Sequence, residues 1–280
     1  MAGPLKRLGV LAREDHPRIA EMREVLACGG RAVRWIDPAD VAAVRELDLL
    51  IVLGGDGTLL RAARLAASDG IPLLGVDLGT LGFLAEVDPD HLPAALDRVE
   101  AGHYTLEERV RIEVRLLRAG VPDRVAHGMN DVVVDRGASG RMLEVSVSLG
   151  DEEVATHAAD GFIVATPTGS TAYALAAGGP VLGPEVPAMV LVPICAHALT
   201  ARPLVVSDAG VIRMSVRPRT PGAGLFVDGV PLVEDLGEGD VIEVRKAAVP
   251  VRLVRLGVAT FYPRLRAKLQ WSLRGVNGAR

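Results

Sequence analysis

Leu49-Leu50-Ile51-Val52-Leu53-Gly54-Gly55-Asp56-Gly57-Thr58, continued by Leu59-Leu60-Arg61-Ala62-Ala63-Arg64-Leu65-Ala66-Ala67, decides how this chain is read. The apolar run 49–53 has the length and character of a buried strand. The segment after the glycines has helical composition and spacing. A strand, a glycine-rich turn and a helix, in that order, leave backbone N–H groups facing outward where a phosphate can bind. An anion pocket needs no carboxylate, so Asp56 points to a metal ion or a proton, and the combination suggests phosphoryl transfer. The same residues also read as a tight turn with Asp56 capping the helix. Gly54, Gly55 and Gly57 around one aspartate favour the functional reading. No Gly-Lys-Ser/Thr follows, so this is no Walker A loop, and the dinucleotide G-x-G-x-x-G spacing fails.

Outward from this turn, strand-like and helix-like segments alternate. Leu8–Leu11, Arg31–Ile36, Leu47–Leu53 and Ile71–Val76 read as strands. Arg18–Ala27 reads as a helix stopped at Gly29-Gly30, and the helix after the glycine turn ends near Gly70. This rhythm predicts an α/β domain with a parallel, helix-covered sheet. The texture changes near Tyr104. Val110, Ile112, Val114 and Leu116 then alternate with Arg111, Glu113 and Arg115. Short runs recur at 131–135, 143–149, 162–166, 189–194, 211–216, 241–244 and 251–256, with turn signals between them. They predict an all-β, sandwich-like domain, interrupted by a helix over 171–177. Phe261–Trp271 reads as a last helix with Leu265, Leu269 and Trp271 as packing residues. The expected division is 1–104, 105–257 and a C-terminal segment 258–280.

The 280 residues are 49% apolar and 24% charged, as in a water-soluble globular protein with a sizeable core. A net charge of −4 argues against a general nucleic-acid or membrane-surface binder. Cys28 and Cys195 stand far apart and form no paired motif, which fits a reducing cytoplasm rather than a disulfide framework or zinc site. The first residues lack a signal-peptide pattern, and the longest apolar run, 186–199, is broken by Pro187, Pro193 and His197. His197 itself reads as a core residue.

A second loop, Thr166-Pro167-Thr168-Gly169-Ser170-Thr171-Ala172-Tyr173, follows the apolar strand Phe162–Ala165. Its hydroxyls suit a polar ligand, its glycine allows close backbone approach, and Tyr173 offers a face to an aromatic base. By itself it reads equally as a turn capping the next helix. With both loops on one chain, the sequence resembles the NAD kinase family. The resemblance extends through Leu78-Gly79-Thr80-Leu81-Gly82-Phe83-Leu84, Asn130-Asp131, Asp160-Gly161, Leu191–Cys195, Arg202–Val205 and Phe261 to Trp271. The glycine loop is shared with lipid kinases and phosphofructokinases, and the later motifs separate this chain from both.

The resemblance implies phosphoryl transfer from ATP, or from polyphosphate in some members, to the adenosine ribose 2′-hydroxyl of NAD, giving NADP. It implies an α/β domain, an all-β domain, a last helix returning to the first domain, and a homodimer or homotetramer. Asp56 becomes the proton acceptor. Mg²⁺ is held mainly by phosphates, with Asp56 as its protein ligand and no dedicated site. Gly55, Gly57, Thr58 and Arg61 fall on the phosphates, although a solvated helix face suits Arg61 as well. Phe83 is either core or a wall of the nucleotide cleft. Asn130 and Asp131 fall on the ribose and adenine, or else form the turn before the strand at 132. Asp160, Thr168, Thr171, Ala172, Tyr173 and Ala176 line the rest, with Asp160-Gly161 also readable as a turn, and Arg141 is a basic contact or, by default, a surface arginine. Two departures stand out: Ala158 replaces a common basic residue, and Val230 replaces glutamine in an Asp-Gly-Gln segment at Asp228-Gly229.

Overall fold

The computed structural model describes residues 5–28, 32–79, 82–218, 222–258 and 260–271. The chain divides into one unit running up to Glu108 and resuming at Val251, and a second unit, Arg109–Pro250. The first opens with β1 (Leu8–Ala12), α1 (Ile19–Cys28), β2 (Val33–Trp35), β3 (Leu49–Leu53), α2 (Asp56–Ala66), β4 (Leu73–Val76), α3 (Leu92–Glu100) and β5 (Thr105–Arg109). The second contains β6 (Ile112–Leu117), β7 (Arg124–Gly128), β8 (Asp131–Asp135), β9 (Leu143–Leu149), β10 (Glu152–Ala159), β11 (Gly161–Ala165) and α4 (Tyr173–Ala176). It continues with β12 (Ala188–Ile194), β13 (Leu204–Ser207), β14 (Ile212–Pro218), β15 (Gly224–Val227), β16 (Val230–Val233) and β17 (Val241–Lys246). The chain then returns to the first unit with β18 (Val251–Arg255) and α5 (Phe261–Leu269).

The first unit is a sheet in the order β2-β1-β3-β4-β18-β5. Its pairs β1–β2, β1–β3, β3–β4 and β4–β18 are parallel. Every residue of β1, β3 and β4 is buried, which is why they read as unbroken apolar runs rather than alternating ones. Ile19, Met22 and Leu26 of α1, and Leu92, Ala95, Leu96 and Val99 of α3, recur at helical spacing and enter one core with these strands. The segment containing α3 carries that spacing, with a proline in its first turn.

The second unit holds two six-stranded sheets, β10-β9-β14-β17-β6-β7 and β13-β12-β11-β8-β15-β16. Val145, Val147, Met214 and Ile242 from the first of these pack with Val132, Val134, Val164 and Leu191 from the second in one core. The opposite face of the second sheet is also closed. Val133, Ile163, Ala165, Val190 and Val192 pack under Ala174 of α4. β8 and β11 are therefore buried on both faces, whereas β6 alternates buried and half-buried residues as its sequence predicts.

Three expectations need correction. Strands 105–109 and 251–255 lie in the first sheet, so the crossover to the second unit falls at Glu108 and the return at Val251, not at 104 and 257. Alternation identifies a strand but does not say which sheet it joins. The helix expected over 171–177 begins at Tyr173, because Ala172 takes a non-helical backbone (φ −100°, ψ −128°). Trp271 is exposed, and Leu265 is the buried apolar residue of α5. The stop expected at Gly29-Gly30, the start of the strand at Arg31, Thr80-Leu81 and residues 272–280 lie outside the described residues.

Candidate functional site

The glycine turn of the first unit is built around close approach. A Cβ on Gly54 would sit 2.4 Å from Thr58 Oγ1. On Gly55 or Gly57 it would meet nothing within 4 Å, so the start of α2 is open. The amides of a helix's first turn are those that intrahelical bonding leaves over. Asp56 is the first residue of α2. Its carboxylate does more than cap: Oδ2 accepts from the Phe83 N–H at 3.0 Å and Oδ1 from the Leu84 N–H at 3.1 Å. Asp77 takes the amides of Gly79 at 3.0 Å and Gly82 at 2.9 Å. Two carboxylates thus pin Gly79 and residues 82–84, and each oxygen of Asp56 keeps a second lone pair.

That segment is held from the other side by α5. Arg264, 4% exposed, donates to the Phe83 carbonyl at 3.1 Å, to the Ala85 carbonyl, and to Glu86 at 2.9 Å. Glu86, equally buried, also accepts from the Leu256 amide at 2.9 Å and pairs with Arg255 at 3.2 Å. Burial pulls the Arg264 guanidinium below its ordinary value, and nearby Arg255 adds to the fall. Phe83 is half-buried, its ring 6.2 Å from that of Phe261, with Lys268 Nζ 5.0 Å from its face. Arg61 lies exposed on α2. Arg264 and Glu86 were not legible as site-building residues, because a buried ion pair leaves no spacing pattern.

The second unit joins the Asn130-Asp131 turn to the Thr166–Tyr173 loop. The Thr166 N–H donates to the Asn130 carbonyl at 2.8 Å, and its hydroxyl to the Met129 carbonyl at 2.6 Å. A Cβ on Gly169 would stand 2.0 Å from the Asn130 carbonyl oxygen, so only glycine lets the two backbones touch. The loop's hydroxyls are largely spent on the loop itself. Ser170 Oγ donates to the Pro167 carbonyl at 2.6 Å and Thr171 Oγ1 to the Thr168 carbonyl at 3.1 Å. The buried Thr168 hydroxyl accepts from Arg109 at 3.3 Å. Ala172 is half-buried, and Tyr173 and Ala176 are exposed on α4.

Asp131 is 5% exposed, and burial, with the neighbouring charge of Asp228 second, pushes its carboxyl up to about 7. The Tyr173 phenol is raised by burial and then by Asp135, Cys195, Asp131 and Asp160, which places those groups in its field. Asp160 pairs with Arg136 at 3.2 Å. Arg136 is thus a basic residue set on Asp160, and Arg141 lies exposed ahead of β9. His197 is exposed, tied by its backbone amide to the Ala158 carbonyl at 2.8 Å, and is no core residue. Asp228 is the residue whose role the sequence did not disclose. It sits at φ 47° beside Gly229 at φ 72°, and its carboxylate takes the amides of Met129, Asn130 and Asp131 at 2.8, 2.7 and 3.2 Å.

Comparison with known proteins gives a consistent result. Residues 9–104 match the family model "ATP-NAD kinase N-terminal domain", and residues 129–256 match "ATP-NAD kinase C-terminal domain". An NAD kinase of Heliobacterium modesticaldum is 51% identical over 227 residues, covering 81% of this chain and 80% of the relative. NAD kinase 2 of Streptomyces avermitilis is 47% identical over 290 residues, covering 96% of each. The crystal structure of yeast NADH kinase complexed with NADH superposes with a TM-score of 0.85 at 27% identity, over 97% of this chain and 90% of that one. An NAD kinase from Archaeoglobus fulgidus in complex with ATP gives 0.79 at 25% identity, over 94% and 98%.

Proposed function

This chain belongs to the NAD kinase family, and from that premise we propose that it moves the terminal phosphoryl group of ATP onto the adenosine ribose 2′-hydroxyl of NAD with a divalent cation present. The supporting observation is that the Asp56 carboxylate at the glycine turn holds the Phe83 and Leu84 amides and that the amides of the Asn130-Asp131 turn are likewise held by a carboxylate, Asp228. Such fixed dipoles suit a reaction in which positioning and charge stabilisation supply most of the acceleration.

The first unit contributes Asp56, whose unused lone pairs accept the 2′-hydroxyl proton as the ribose oxygen bonds to the γ-phosphorus and the bond to the departing ADP oxygen breaks. General-base help of this kind is worth about 10²–10⁴-fold. Gly55 and Gly57, just before and within the first turn of α2, offer their amides to phosphate oxygens, and the Thr58 side chain joins them, its own amide being donated to the Gly55 carbonyl at 3.0 Å; Arg61 lies one turn along. The second unit contributes Asn130 and Asp131 to the ribose hydroxyls, Asp160 and Ala172 to the dinucleotide, and the Tyr173 ring to a base. Among the described residues no cluster of three or more acidic, histidine or cysteine side chains could cage a metal. Mg²⁺ would be carried mainly on the phosphates with Asp56 as one carboxylate ligand, and would supply neutralisation of charge on the transferred group.

We place the reaction in the cytoplasm and the protein in a homo-oligomer. Edge strands β7, β10, β13 and β16 leave backbone groups unpaired in their sheets, a surface that a second copy of the chain can use. The test is purified protein with NAD, Mg²⁺ and ATP, read by an NADP-specific dehydrogenase. Parallel reactions replace ATP by polyphosphate and NAD by NADH. NADP formation that needs ATP and Mg²⁺ and disappears in Asp56→Asn supports the reading; NAD binding without NADP refutes it.

A further inference from the structure

The turn between β15 and β16 has two residues, Asp228 and Gly229, both in the left-handed region. It is the two-residue hairpin that asparagine or aspartate followed by glycine forms well. The turn therefore needs only a short polar side chain at 228, and asparagine would do as well. What asparagine would not do is take all three amides that Asp228 takes. Oδ2 accepts from the Met129 N–H, and Oδ1 accepts from both Asn130 and Asp131 N–H. The Asp228 N–H returns a bond to the Asp131 carbonyl at 3.0 Å. A Cβ on Gly128 would meet Val227 Cγ1 at 2.7 Å and Asp228 Oδ1 at 3.0 Å, so the approach is close along the whole edge. From the opposite side Gly169 presses on the Asn130 carbonyl. The Asn130-Asp131 backbone is thus clamped between two loops.

We propose that Asp228 is a positioning residue for the dinucleotide: its carboxylate, holding the amides of Met129, Asn130 and Asp131, fixes the Asn130-Asp131 turn that meets the ribose. The inference rests on the reading of Asn130 and Asp131 as ribose contacts. Asp228 lies beside Asp131, and their repulsion adds to the burial that holds the Asp131 proton. The charges facing this pair can be named. Arg111, buried near the start of β6, offsets Asp228. His127 of β7 lies in the field of Arg111 and of Glu113 on β6. Tyr173 of α4 faces Asp131, together with Asp135, Asp160 and Cys195. Asp228 is the acidic neighbour that raises Asp131, so removing its charge lowers the pH at which Asp131 ionises.

The discriminating variant is Asp228→Asn, which keeps the turn, keeps an acceptor for two of the amides and loses the charge. KM for NAD should rise about tenfold, the effect of a lost charge-assisted hydrogen bond on binding, while kcat changes less than about threefold. The acid limb of kcat/KM for NAD should move to lower pH, a change that a purely structural role would not produce. Amide exchange at Met129 should become faster, because its acceptor is gone. A folded Asp228→Asn protein with unchanged KM and an unmoved acid limb overturns the proposal. If that variant does not fold, wild-type exchange decides: amides 129–131 exchanging as fast as exposed loop amides overturns it, and protected amides support the clamp. Wild-type NADP formation tests the underlying reading separately, since amide exchange needs no substrate.

Discussion

Replacing Gly82 with alanine adds one methyl group against Asp56. The new Cβ would lie 2.4 Å from Asp56 Oδ1, 3.1 Å from Cγ and 3.5 Å from Oδ2. Gly82 is not among the glycines with positive φ, so alanine brings no backbone strain and the collision is the whole perturbation. Favourable contact begins at about 3.5 Å, so the carboxylate and the methyl group must separate by about 1 Å. Asp56 cannot turn away freely, because that would break its bonds to the Phe83 and Leu84 amides at 3.0 and 3.1 Å. Partial loss of two charge-assisted bonds costs about 1–3 kcal/mol of stability. A 1 Å misplacement of a reacting group costs roughly 10²-fold in rate. We expect kcat for NADP formation to fall about 10²-fold with KM for NAD nearly unchanged, because the contacts proposed for Asn130, Asp131, Asp160 and Tyr173 are left as they are. Gly79→Ala, whose Cβ would be 4.0 Å from Asp77 Oδ1, is the control. Initial rates and urea melts of both proteins are the assay. A Gly82→Ala enzyme within about threefold of wild-type kcat would refute the claim that turnover depends on where these amides hold Asp56.

Asp56→Asn should abolish nearly all turnover and also lower stability by about 1–3 kcal/mol, because an amide nitrogen must face one of two backbone donors; paired kcat and urea measurements check both. Arg264→Met should destabilise the first unit by about 3–5 kcal/mol, the cost of breaking a buried pair, toward the lower end because Arg255 and the Leu256 amide still hold Glu86. Its Tm should fall, and Glu86→Gln in the same background should recover part of the loss. Asp131→Asn should stabilise the apo protein at pH 8 and leave it unchanged near pH 4. The folded-state value of Asp131 is raised from 3.8 to about 7, so its contribution falls as pH rises between those values, by on the order of 4 kcal/mol at most. Equal melting curves for wild type and Asp131→Asn at pH 8 would contradict the burial argument.

The motifs made the fold classes legible because each rests on a periodicity. The unbroken run Leu49–Leu53 became a strand buried on both faces, and the alternation from Ile112 became a strand with one core face. Sheet membership was not legible at 105–109 or 251–255, since a strand's own sequence records how it is buried but not which neighbours it pairs with. The exposure of Trp271 and His197 escaped for the same reason: residue type sets a preference, and packing partners decide. Asp56, Asn130 and Asp131 could be read because they sit inside short motifs. Arg264, Glu86 and the role of Asp228 could not, because each acts across a long sequence separation through a backbone group that any residue type supplies.

The two units solve the positioning problem in the same way. In each, a carboxylate collects consecutive backbone amides of a distant turn: Asp56 those of Phe83 and Leu84, and Asp228 those of Met129, Asn130 and Asp131. In each, the clamped segment is also held elsewhere, by Arg264 on the Phe83 and Ala85 carbonyls and by Thr166 on the Met129 and Asn130 carbonyls. In each, a glycine marks the point of contact, Gly82 against Asp56 and Gly169 against Asn130. Backbone dipoles fixed from both sides have few alternative arrangements, so they need little reorganisation when charge develops. The difference lies in what the carboxylate is left to do. Asp56 keeps lone pairs at an open helix start and can take a proton, whereas Asp228, with three amides on its two oxygens and Arg111 behind it, is committed to holding. The number of amides on each carboxylate, rather than its place in a motif, separates the residue proposed to react from the residue proposed to position.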